Sequence, residues 1–85
     1  MKLRILYFAS LRERVGLDQE PVELPGDVAD VGALRGWLRA RGGAWAEAFA
    51  EGRPVRAAVD QAMAGPDAPL RDGAEVAFFP PVTGG

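Results

Sequence analysis

The run Lys2 to Phe8, KLRILYF, alternates with period two, which dictates a strand with two unlike faces. Leu3, Ile5 and Tyr7 share one face, and Lys2, Arg4, Leu6 and Phe8 share the other. Lys2 and Arg4 keep their charges in water, so the first set is expected to face a core. A half-wet strand needs a sheet covered on one side only, and the rest of the chain offers the cover. Ser10-Leu11-Arg12-Glu13 has the spacing of a capping box, which predicts a short helix with Ser10 as N-cap, Leu11 and Val15 stacked, and Gly16 at its end. Glu20 to Leu24 reads as a second strand with Val22 and Leu24 on one face, and Pro21, lacking an N–H, assigns it to a sheet edge.

After the Pro25-Gly26-Asp27 turn, Asp30 is placed to cap the main helix. Val31, Leu34 and Leu38 form its apolar stripe, with Arg35, Arg39 and Arg41 mostly outside it, and Gly42-Gly43 stop it. Gly32 and Gly36 lie on one face, where another backbone could approach closely. Trp45, Ala48 and Phe49 give a second short helical stripe, closed by Gly52. Val55 to Asp60, Gln61 to Ala64 and Ala74 to Phe79 read as strands, separated by turns at Gly65-Pro66-Asp67 and Arg71-Asp72-Gly73. This order predicts an α+β fold, one mixed sheet with its helices packed on one face. The other face is left uncovered.

The chain supplies little for chemistry. Among its 85 residues there is no Cys and no His, which excludes disulfides, thiolate nucleophiles, His bases and the usual zinc sites, so no metal site is expected. Its carboxylates are scattered, without the spacing of an acid/base pair, and no glycine-rich loop opens a helix to hold phosphate. A net charge of −2 implies no surface for nucleic acid. No leader and no apolar run near the length of a membrane span is read, so a cytoplasmic protein is expected.

What remains is the C-terminal carboxylate. The chain ends FFPPVTGG. Pro80 and Pro81 stiffen the exit from the last strand, β-branched Val82 and Thr83 favour extended backbone, and Gly84 and Gly85 make a tip without side chains. A stiff stalk with a slim tip suits delivery of a carboxyl carbon into a narrow channel of another protein.

The chain resembles the family of small subunits of molybdopterin synthase, ubiquitin-like sulfur carriers of β-grasp fold. The resemblance is most specific from Asp72 to Gly85, DGAEVAFFPPVTGG, and continues in Leu6 to Gly16, LYFASLRERVG. It departs at Asp60-Gln61 and Ala74, where family members often carry Asn-Gln and an acidic residue. It implies a β-grasp domain over 1–79 and a Gly-Gly tail over 80–85. It further implies that an E1-like enzyme spends ATP to adenylate Gly85, and that a persulfide then displaces AMP to leave a thiocarboxylate. The large catalytic subunit would receive the tail, in a heterotetramer with two small subunits on a large-subunit dimer. There the sulfur would pass to cyclic pyranopterin monophosphate and build the dithiolene of molybdopterin. On this reading the protein is the sulfur-donor subunit of a sulfurtransferase, binds no cofactor and has no catalytic side chain. The alternatives are a carrier of the same fold for thiamine or tRNA thiolation, a protein modifier, and a binding module with an incidental Gly-Gly; Lys2, the single lysine, argues against chain-building.

Strand parity also locates a docking surface. With Lys2, Arg4 and Glu75 marking the wet side, Leu6, Phe8, Ala77 and Phe79 point outward, while Val76 and Phe78 point inward. Together with Met63, the residues Leu6, Phe8 and Phe79 are expected to form an apolar patch for a partner.

Overall fold

In the computed structural model, which describes residues 1–81, β1 (Lys2–Tyr7) shows the expected alternation. Leu3, Ile5 and Tyr7 are buried, and Lys2 and Arg4 are exposed. The order continues α1 (Ala9–Val15), β2 (Gln19–Glu23), α2 (Val31–Arg39), α3 (Gly43–Ala48), β3 (Arg56–Val59), β4 (Ala62–Ala64) and β5 (Glu75–Phe79). The sheet runs β2-β1-β5-β3-β4, with β1 and β5 parallel and the other pairs antiparallel. β2, with Pro21, is an edge strand, as a missing N–H requires. The last strand in sequence is thus the middle strand in space.

Inward residues of the strands and the apolar stripes of the helices make one core. Ile5, Leu34, Leu38, Ala48, Phe49 and Val76 are fully buried. At its centre Phe49 lies edge-on between Phe78, 5.1 Å away between ring centroids, and Tyr7, 6.3 Å away. Such tilted contacts set the positive ring edge against the negative face. Asp30 caps α2 as predicted, accepting from the Ala33 N–H at 2.7 Å. Arg35 of α2 donates to the carbonyls of Ala50 and Arg53 at 2.8 Å and of Phe49 at 3.3 Å, satisfying backbone oxygens where α3 ends.

Two local expectations change. Ser10 does not cap α1: the helix begins one residue earlier, with Phe8 as its N-cap and no side-chain cap bond. The cause is that β1 runs straight into the helix. The Phe8 N–H still donates to the Phe78 carbonyl (3.1 Å), and the Phe8 carbonyl already accepts from Leu11 (3.1 Å), with Ala9 making the turn at φ 53°. Close backbone packing holds at Gly32 and not at Gly36. A Cβ on Gly32 would lie 3.2 Å from the Pro66 carbonyl oxygen, whereas one on Gly36 would meet only the Arg39 side chain at 3.7 Å. The β3–β4 hairpin turns through Asp60 and Gln61, both at positive φ, the geometry that matches strand twist in a two-residue loop. Asp60 offsets that strain by accepting from the Glu75 N–H at 3.0 Å.

Candidate functional site: the outer sheet face and the tail root

The register turns the outward parity into a continuous row. Leu6 pairs with Ala77, Ala77 with Ala58, and Ala58 with Met63, so apolar side chains cross the sheet from β1 to the β4 edge. Phe8 stands one step beyond the pair Tyr7–Phe78, level with Phe79. Phe8 is 46% exposed and Met63 58%, while Leu6 and Phe79 are half-buried. Polar groups border the row: Arg4 lies between Pro21 and Glu75, its guanidinium donating to Gln19 at 2.7 Å, and Arg56 stands opposite Phe79. The four residues expected to form the patch, Leu6, Phe8, Met63 and Phe79, thus lie on one face. Ala58, which links Ala77 to Met63, was not among them; an alanine carries no signal of its own until the pairing is known.

Pro80 and Pro81 follow β5 directly and are half-buried. With Leu11, Ala48, Pro54 and Val55 they line a cleft of about 260 Å³, and Ser10, Arg14 and Arg53 complete its lining. Val82, Thr83, Gly84 and Gly85, the remainder of the predicted tail, lie outside the described residues. Because β5 is central and parallel to β1, the tail root and Phe8 leave the sheet at the same end.

A polar cluster on the helical side was not foreseen. The Tyr7 hydroxyl donates to Glu20 at 2.7 Å and accepts from the Trp45 indole at 3.3 Å. Arg41 forks onto both Glu20 oxygens at 2.8 and 3.1 Å, with its guanidinium 4.9 Å from the Trp37 ring centre and 5.0 Å from that of Trp45. Burial pushes the Tyr7 phenol well above its ordinary pKa, so it is no nucleophile. Burial would raise the Glu20 carboxyl too, but the hydrogen bonds from Arg41 and Tyr7 outweigh it and hold the group below its ordinary value. The cluster ties β1, β2, α2 and α3 together. Its members come from four elements, so no local spacing announces it. Among the described residues no group of three acidic side chains gathers as metal ligands would, and no helix is long and apolar enough to cross a membrane.

Comparison with known proteins adds to this geometry. The ThiS family matches residues 5–85. The chain belongs to the ThiS family. It is 47% identical to the molybdopterin synthase sulfur carrier subunit of Escherichia coli (strain K12) over 83 residues, which cover 98% of this chain and 99% of that one. The solution structure of the HVO 2177 protein of Haloferax volcanii superposes with a TM-score of 0.79 at 31% identity, covering all of this chain and 87% of that one. A chain from the complex of subunits 1 and 2 of the molybdopterin-converting factor of Helicobacter pylori 26695 shares the fold, with a TM-score of 0.65 at 22% identity and full coverage of both. These likenesses bear out the ubiquitin-like β-grasp, α+β reading.

Proposed function

We propose that this chain is the sulfur-carrier subunit of a molybdopterin synthase. The observation that carries the reading is the joint exit of Phe8, Phe79 and the Pro80-Pro81 root at one end of the sheet. It gives a partner an apolar face to hold and a stalk to receive. An identity of 47% over 98% of the chain with a named sulfur carrier supports it. The partner is the large catalytic subunit, in keeping with the Helicobacter pylori complex of subunits 1 and 2.

The chemistry follows from the terminus. A carboxylate is a poor acyl donor, so an E1-like enzyme must first form the Gly85 acyl-adenylate from ATP, releasing pyrophosphate. A persulfide sulfur then attacks the acyl carbon, AMP leaves, and cleavage of the S–S bond by a reductant or second thiol leaves the thiocarboxylate. Its sulfur attacks the pterin precursor in the large subunit, and water returns the carrier to the carboxylate. Two such cycles supply the two sulfurs of the dithiolene. The carrier needs no base, because a thiocarboxylate is ionised at neutral pH; the fold's task is reach.

Deleting Gly85 tests this. It draws the reactive carbon back by about 3.3–3.6 Å, and a misplacement of even about 1 Å can cost a hundredfold in rate. The shortened chain should bind the large subunit normally and transfer no sulfur, and Gly84→Val, which keeps the length but adds a branched side chain, should be severely slowed. Wild-type transfer by the shortened chain overturns the carrier mechanism. An intact mass of protein from its own host should also contain a thiocarboxylated fraction.

A further inference from the structure

We propose that the cleft at the tail root is a second, charged contact with the large subunit, and that it takes an Asp or Glu side chain at the mouth of the channel that receives the tail. The inference rests on the sulfur-carrier reading above. Arg14 reaches the cleft from α1 and Arg53 from the segment before β3, and neither is ion-paired among the described residues. Among the described residues no carboxylate lines it. Arg35 is engaged on carbonyls at the end of α3, Arg39 with Glu51 at 3.8 Å and Arg41 with Glu20. Arg12 of α1, also without an ion pair among the described residues, lies outside the cleft. In a chain of net charge −2, this leaves a local positive site beside the stalk.

Pro80 and Pro81 form part of the same wall, so a protein that encloses the tail also covers the cleft. Covering it strips water from two guanidinium groups over an apolar floor that includes Leu11 and Val55. Leaving them unpaired would be costly, and a carboxylate fits the planar fork of Arg. A nucleotide phosphate is the wrong occupant. The phosphate of an acyl-adenylate sits at Gly85, four residues past Pro81 and about 13–14 Å away when the tail is extended.

The test measures the affinity of the full chain for the large subunit as a function of salt. Arg14→Glu with Arg53→Glu should weaken binding at least about tenfold at low salt and flatten its salt dependence, as for close interfacial charge pairs. Arg12→Glu, on the same helix but outside the cleft, should change affinity far less. Melting temperatures of the free variants should match wild type. Unchanged affinity and salt slope in the double variant overturn the proposal, as does an equal loss in Arg12→Glu, which would mean general attraction. Tighter binding by the double variant overturns it too, since the chain's own terminal carboxylate would then compete for the cleft. Failure of the carrier reading is separate: wild type would then neither bind the large subunit nor deliver sulfur to it.

Discussion

Phe78 and Phe79 are neighbours on β5 and meet opposite surroundings. Phe78 is 1% exposed, edge-on to Phe49 in the core, while Phe79 is half-buried on the outer face of the sheet. The inner side of the sheet is closed with rings, a cap and an ion pair. The outer side keeps Phe8 and Met63 in water. Residue type therefore says little about role here; parity on the strand decides it.

The sharpest way to break that contrast is to truncate both rings. Phe78→Ala should cost about 3–5 kcal/mol, a large share of what so small a domain has, seen as a collapse of the urea midpoint. Phe8→Ser should leave the unfolding free energy within about 0.5 kcal/mol of wild type. Phe79→Ser should cost well below the Phe78→Ala loss, and both serine variants should weaken capture by the large subunit. Equal destabilisation by the two classes would show that the outer rings are core and erase the distinction.

Next in size is the Tyr7–Glu20–Arg41 cluster, which tests whether the inner side depends on polar as well as apolar packing. Glu20→Ala leaves the buried Tyr7 hydroxyl without its acceptor and should cost about 1–3 kcal/mol. The effect should depend on pH. The folded-state pKa of Glu20 lies below the ordinary 4.5, so its stabilisation is complete above that value and is lost as pH falls through the folded value. Denaturation curves of wild type and variant should therefore converge in acid. A gap that stays constant down to the lowest accessible pH would assign the cost to lost packing alone.

The smallest effect comes from the two helical glycines. Gly36→Ala should stabilise by about 0.5–1 kcal/mol, because helix propensity rises and the space is open. Gly32→Ala should gain nothing or cost stability, since the Pro66 carbonyl is only 3.2 Å from the new carbon and accepts from the Gly32 N–H at 2.9 Å. Equal gains at both positions would remove the claim of close approach.

Much of this contrast is legible in the sequence, for a physical reason. Lys2, Arg4 and Glu75 mark the solvent side of two strands, and period two then assigns every other side chain, Phe78 and Phe79 included. The exit from β5 is legible at Pro80 and Pro81 because Pro acts on its own backbone, while Val82 to Gly85 lie outside the described residues. What escaped were interactions between distant residues. Arg35 and Arg41 read as polar residues outside a stripe, yet one holds the end of α3 and the other sits between two tryptophans. Arg14 and Arg53 carry no mutual spacing that would predict a shared cleft. The capping-box spacing of Ser10 and Glu13 was real but unused, because the ladder between Phe8 and Phe78 sets where α1 begins.

The central position of β5 has a consequence for how the protein is made. Ile5 must wait for Val76, and Tyr7 for Phe78, so the middle of the sheet cannot close until β5 has left the ribosome. A product of premature termination before β5 lacks both the middle strand and the stalk that follows it. Synthesis thus orders the two: a chain whose sheet has closed has already been translated to Pro80, and fragments that stop short of β5 are left open to proteolysis.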